Sequence, residues 1–513
     1  MLSAVIRIAR SPWVLAAAYL PRLWTQVLRL ARFVRVRPPS EALGTSTTTI
    51  DGRQAGPVAS THQAFPATED QLNEIRKRFI ESIDPDAVCA LASRLNHGKP
   101  CQIVRKARGS FNICFFVEFG HDGPKWIIRI PIESSLEDPW TKLLSEVATM
   151  RHLQRNTRIP IPHIHAYGRG AKLTRDGQRR QMFVILHLVL GQPLDKELLT
   201  SATEDDRRRF YSQLIDVLAD LRKLEFPMIG SLMPNPVSGQ EPVLGPVVSM
   251  SAAIIHRPLP PKAFATAKEY MDFQCNVVSD FLLPPISDCS VLDARHEVFT
   301  RHGIEPIFQR VIDPRLNDGP FVLNHLDLRG PNIIVDENLR IQGIIDWEFT
   351  STVPLQLFAP PSWITGYDPN KTNKQMHAEF RNVLASKKGS VYSQLRREWY
   401  STLDTDNVRK DVAFWVSHAI RRPAKVTDIF CDVLAPRLSG RPLDDVVSEF
   451  FDENPEAEQE VQQRLQQCER YREYLKENGL YETTRDRALA ESKAVKKTWG
   501  WSSFASRSGS KQW

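Results

Sequence analysis

The β-forming runs of this chain lie ahead of most of its helical ones. That segregation constrains the fold more than any other feature. IVRKARGSFNICFFVEFG (103–120) and KWIIRIP (125–131) are dense in β-branched and aromatic residues, with His121-Asp122-Gly123-Pro124 as a turn between them. MFVILHLVLG (182–191) reads as a buried strand ending in glycine. Beyond 191 the pattern is mainly helical, at 205–224, at 265–283 and again between 374 and 480. A proline-rich irregular stretch (233–264) and short strands around a loop (321–349) interrupt it. Strands and helices grouped in this way predict an α+β, bilobal fold, with a small β-rich lobe over 70–190 and a larger, mainly helical lobe over 191–480. A cleft between two such lobes suits a ligand.

One helix of the first lobe can be placed closely. Asp138-Pro139 supplies a capping residue followed by proline at the first helical position. Apolar residues then recur at 140, 143, 144, 147 and 150. Glu146 falls on that apolar face, where a carboxylate needs a cationic partner. Arg129, alternating within the run 125–131, can supply one.

The 513 residues, 42% hydrophobic and 25% charged, exclude collagen-like, fully disordered and polytopic-membrane classes. The formal charge of +7 sits entirely in residues 1–40, which hold seven arginines and no lysine or acid, so the remainder balances. A basic nucleic-acid-binding body is therefore not expected. No run reaches the ~20 apolar residues of a membrane span. Within the leader, Leu20, Leu23, Val27, Leu30 and Val34 face away from Arg22, Arg29 and Arg32. Such a basic amphipathic helix reads as a mitochondrial presequence, or as a segment touching a membrane surface. A mitochondrial location is expected, otherwise a cytoplasmic one. Residues 41–69 read as a linker and 481–513 as a tail. Seven cysteines without a C-x-x-C pair suggest buried thiols in a reducing compartment.

The chemistry is concentrated in H-L-D-L-R-G-P-N (325–332), followed by I-I-D-W-E, which places Asp346 14 residues after Asn332. A carboxylate that can take a hydroxyl proton, followed by an amide and a second carboxylate that suit hard Mg²⁺, are the parts phosphoryl transfer from ATP requires. Together these motifs resemble the aminoglycoside phosphotransferase and choline-kinase-like enzymes, fungal members in particular. These form the small-molecule branch of the protein-kinase-like fold, and the similarity spans about 85–435. The resemblance implies an ATP- and Mg²⁺-dependent kinase acting on a hydroxyl of a small-molecule acceptor. It implies Asp327 as catalytic base, Arg329 at the transferred phosphate, and Asn332 and Asp346 on the metal. His325 would pack the loop. The backbone of His187 and Val189 would meet adenine, and the turn through Gly109 and Ser110 would cover the phosphates. Arg129 stands where the family places a phosphate-binding lysine, paired with Glu146. This departure is what favours the other reading, a kinase-like scaffold that has lost turnover.

Leu326, D-W-E in place of D-F-G and the absence of A-P-E argue against a protein kinase. Glu348 is expected to be an exposed acid, with a metal-ligand role as the other reading. His163 and His165 are read as core or loop histidines ahead of a paired metal site. Trp347, Trp363 and Tyr367 are candidates for the acceptor pocket, where a cation would suit them, or for core packing.

Overall fold

The computed structural model describes residues 65–237, 241–365, 371–400 and 404–482. The expected leader, most of the linker, Tyr367 and nearly all of the tail lie outside the described residues. The first lobe opens with two helices, α1 (Glu69–Ser82) and α2 (Pro85–Leu95). Strands β1 (Gln102–Arg108), β2 (Asn112–Glu118) and β3 (Lys125–Pro131), helix α3 (Pro139–Asn156), and strands β4 (Ile164–Ala171) and β5 (Gln181–His187) follow. The strands form one antiparallel sheet in the order β1-β2-β3-β5-β4.

Alternation along the strands sorts the lobe into two faces. Ile113, Phe115 and Val117 of β2, with Trp126, Ile128 and Ile130 of β3, pack beneath Val88 and Leu91 of α2. The intervening residues Asn112, Cys114 and Arg129 therefore point the other way, toward the second lobe. Asp138 caps α3 as expected, accepting from the Thr141 N–H at 2.9 Å. Leu143, Val147, Met150 and Leu153 bury the helix stripe against Val184 and Leu186 of β5. Each such burial stabilises the lobe by about 1.5–3 kcal/mol relative to exposure.

The second lobe is built on α4 (Glu204–Arg222), α5 (Ala267–Asp280) and α6 (Val291–Arg310). Phe210, Leu214, Met271, Phe299 and Phe308 lie in its core. Strands β6 (Phe321–Asn324), β7 (Ile333–Val335), β8 (Ile341–Ile344) and β9 (Ser351–Pro354) carry the loop region. Helices α7 (Asp404–Arg421) and α8 (Glu456–Glu477) complete the described chain. The expected bilobal α+β architecture, a β-rich lobe followed by a mainly helical one, is thus present. A small hairpin, Ser231–Met233 with Val243–Gly245, leads into the irregular stretch, which also holds a short helix, Met250–Ile254. Among the described residues no helix is long and apolar enough to cross a membrane, and the cysteines are all free.

Candidate functional site

A cleft of about 790 Å³ lies between the lobes. Its walls include Gly109, Ser110, Arg129, Glu146, His187, Val189, Asp327, Arg329 and Asp346. Nine of the ten site residues expected from sequence therefore line one cavity. The tenth, Asn332, is buried immediately behind it.

The loop after β6 is fixed by its own polar groups. The Asp327 N–H donates to His325 Nδ1 at 3.3 Å, and His325 Nε2 bonds to the Ile345 carbonyl at 3.0 Å. Burial lowers the His325 pKa, which favours a neutral ring with its proton on Nε2. Asn332 Nδ2 donates to the Asp327 backbone carbonyl at 2.9 Å and to Asp327 Oδ2 at 3.1 Å. The Ile345 N–H returns to the Asn332 carbonyl at 2.9 Å, so the strand leading to Asp346 is tied to the loop. Asp346 itself holds φ +67°, a left-handed conformation costly for a residue with Cβ. Trp347 is buried, its ring 4.6 Å from that of His325, and packs the core rather than the cleft. Trp363 does line the cleft, and its indole N–H holds the Leu328 carbonyl at 2.9 Å.

The Asp327 carboxylate is gripped by two guanidinium groups. Arg329 Nε lies 3.0 Å from Oδ2, and Arg421 Nη2 donates to Oδ1 at 3.0 Å. Arg421 ends α7, 94 residues from Asp327, and no local motif marks it in the sequence.

On the other side of the cleft Arg129 and Glu146 pair as expected, Nη1 to Oε1 at 2.5 Å. Arg129 also reaches Asp346 (3.1 Å) and Glu348 (3.0 Å) through Nη2. Glu348 is not an exposed acid. It is 8% exposed, accepts from Asn112 Nδ2 at 2.8 Å, and pairs with the fully buried Lys142. Its position is set by three first-lobe side chains 206 to 236 residues away, which sequence spacing does not display. Although burial pushes the Glu348 pKa up, Lys142 and Arg129 hold it below the usual carboxylate range. Asp346 is pushed up to about 7, first by burial and then by Glu348, with Arg129 opposing. Lys142 carries a faint sequence signal, one turn before Glu146 on the same helix face.

Three carboxylates, Glu146, Asp346 and Glu348, face two cations, Arg129 and Lys142. The formal charge left over is negative, and it falls on Asp346 beside Asn332. An oxygen donor set with an uncompensated charge fits a hard divalent cation that keeps water and phosphate oxygens as its other ligands. Among the described residues no group of three or more His, Cys, Asp or Glu forms a metal site. His163 and His165 instead join an aromatic patch, with the tilted Trp126 ring 3.9 Å from that of His165 and His187 5.1 Å from His163.

The turn between β1 and β2 is closed by the Gly109 N–H on the Asn112 carbonyl at 2.9 Å, placing Ser110 over the cleft. At the connection between the lobes, the His187 N–H is already taken by the His163 carbonyl and the Leu188 N–H by Lys125, both at 2.9 Å. The His187 backbone donor is thus occupied, so a contact of its backbone with adenine would run through its carbonyl. The Val189 N–H makes no backbone hydrogen bond among the described residues.

A model of the phosphotransferase enzyme family matches residues 112–355. The chain is 28% identical to clavilactone A biosynthesis cluster protein Y of Ampulloclitocybe clavipes over 313 residues, 59% of this chain and 71% of that protein. It is also 28% identical to a subtelomeric hrmA-associated cluster protein of Aspergillus fumigatus over 130 residues, 25% of this chain and 24% of that one. Among solved structures, an ADP-bound aminoglycoside phosphotransferase aligns at 16% identity and TM-score 0.39, covering 73% of this chain and 99% of that one. Plasmodium vivax ethanolamine kinase aligns at 11% and 0.37, covering 74% and 98%.

Proposed function

We propose that this chain, whose residues 112–355 match a model of the phosphotransferase enzyme family, transfers the terminal phosphoryl group of ATP to a hydroxyl of a small-molecule acceptor. The observation that carries this reading is the Asp327 carboxylate, fixed in the cleft by Arg329, Arg421 and Asn332. Oδ2 is engaged by Arg329 and Asn332, whereas Oδ1 meets Arg421 alone and keeps a further lone pair, so Asp327 can orient a hydroxyl and accept its proton through Oδ1 while remaining held. Arg329, more than half exposed, can move toward a transferred phosphoryl group. Asn332 and Asp346 would hold Mg²⁺, whose chemistry is to neutralise charge on the phosphate oxygens. Gly109, Ser110 and the Val189 backbone would bound the nucleotide. Arg129 would act by holding Glu146, Asp346 and Glu348 in register.

A scaffold without turnover is the second reading, and the engagement of Arg129 with three carboxylates favours it. Melting with Mg-ATP separates the two. We expect a rise in Tm that Asp346→Ala abolishes. ADP release over a panel of amino sugars, amino alcohols and metabolite alcohols should fall by about 10²-fold or more in Asp327→Asn, with the Mg-ATP shift retained. No Tm shift in the native chain would favour the scaffold.

A further inference from the structure

The two ends of the cleft carry opposite charge. Carboxylates are in excess beside Asn332. Around Asp327 there are three arginines, Arg329, Arg421 and Arg422, and one acid. Arg329 and Arg421 share that single carboxylate, whereas Arg422, exposed at the cleft wall, pairs with no carboxylate among the described residues. Arg421 Nε is buried without a hydrogen-bond partner. Burial lowers the Arg421 pKa, Asp327 opposes it, and the nearby Arg422 and Arg329 lower it further.

This basic end is not simply part of the nucleotide's path. A second cavity of about 100 Å³ opens from Asp327 and Arg421 into the second lobe, and no first-lobe residue lines it. Phe349, Leu357 and Phe414 supply apolar walls. Two of its buried polar atoms, Gln274 Oε1 and Ser417 Oγ, have no hydrogen-bond partner, and Gln274 is 1% exposed. Buried orphans facing a cavity mark a place where a polar ligand completes the bonding. Met250, brought in by the proline-rich stretch, lies at both cavities.

We propose that the acceptor is an anion, a hydroxyl compound bearing a carboxylate or phosphate that Arg421 and Arg422 bind beside Asp327, with its apolar part against Met250, Phe349 and Trp363. The proposal rests on the phosphotransfer reading for which group reacts, and on the arginines alone for the charge. Guanidinium groups suit planar oxyanions through paired hydrogen bonds, and three of them oppose a polycationic amino sugar. The hydroxyl end would then lie at Asp327, with Gln274 and Ser417 within the deeper cavity.

Calorimetry on the full chain tests this. AMP-PNP with Mg²⁺ is titrated first. The loaded protein then receives glycolate, 2-hydroxyisocaproate, 3-phenyllactate and glycerol 3-phosphate, each hydroxy acid beside its amide and its amino alcohol. Anions should bind about tenfold or more tightly than their neutral and cationic partners. Whether the hydroxy acids or glycerol 3-phosphate bind best distinguishes carboxylate from phosphate. Arg422→Gln should lose about tenfold in anion affinity and Arg422→Lys should recover most of it, with Tm unchanged in both. Equal binding across each set, preference for the amines, no binding of any anion, or an Arg422→Gln loss that falls on AMP-PNP instead would overturn the proposal. Arginine-dependent anion binding without AMP-PNP binding would leave the anion pocket standing and remove the phosphotransfer reading.

Discussion

Arg129 meets Glu146 with one guanidinium nitrogen and Asp346 and Glu348 with the other. A lysine ammonium is a single point on a flexible stem and cannot span that fork. Arg129→Lys should therefore cost about 1.5–3 kcal/mol, the value of a lost hydrogen bond to a charged group. Arg129→Met, which leaves the buried carboxylates uncompensated, should cost about 3–5 kcal/mol. Urea unfolding measures both, and a lysine variant as stable as the native chain would remove the fork from the account. His418, at the cavity beside Arg421, responds to pH. Burial, then Arg422 and Arg421, lower its pKa from 6.5 to about 4. The folded state thus holds a neutral imidazole that the unfolded chain protonates, so this contribution is complete above pH 6.5 and is lost as pH falls toward 4. The fall in Tm between pH 7 and 5 should be shallower in His418→Gln. The Arg129–Glu146 pair was legible in sequence because strand alternation and helix periodicity are local. Arg421 and Glu348 were not, because their partners come from other elements, 94 to 236 residues away.

Elements with strong periodicity were readable, and those too short to show a period were not. The run 103–120 holds β1 and β2 with the turn between them, the runs 125–131 and 182–191 hold β3 and β5, and the Asp138-Pro139 start of α3 is where the cap lies. The hairpin that opens the 233–264 stretch and the helix within it leave no pattern in the sequence, because segments of three and five residues display no repeat. Gly191 shows how one residue ties elements together. It follows β5 at φ +129°, and a Cβ there would stand 2.5 Å from the Val335 carbonyl oxygen at the end of β7. The connection between the lobes thus lies directly on the strand that follows Asn332. Gly191→Ala must both strain its own backbone and push β7 away, at about 1–3 kcal/mol for the backbone alone. We expect a lower Tm together with weaker AMP-PNP binding. A lower Tm with unchanged nucleotide affinity would show that the strain stops short of Asn332.

At the scale of the whole molecule, the lobes meet through charge as well as packing. Glu348 belongs to the segment after β8, yet Asn112 of β2, Arg129 of β3 and Lys142 of α3 all hold it. Phe111 and Phe349, with ring centroids 4.9 Å apart, add an apolar contact beside this cluster. Breaking a buried pair on one side leaves an unpaired charge, whereas replacing both sides with neutral groups does not. Glu348→Gln leaves the Lys142 ammonium buried and unpaired, so about 3–5 kcal/mol should be lost, together with the contact that holds the lobes at this separation. Small-angle scattering should then show a larger radius of gyration, and proteolysis between the lobes should quicken. Adding Lys142→Met removes the stranded charge, so the double variant should be more stable than Glu348→Gln alone while the scattering stays expanded. If the double variant is instead as unstable as the sum of the two single variants, the Lys142–Glu348 pair does not couple the lobes, and Arg129 alone carries the charged contact between them.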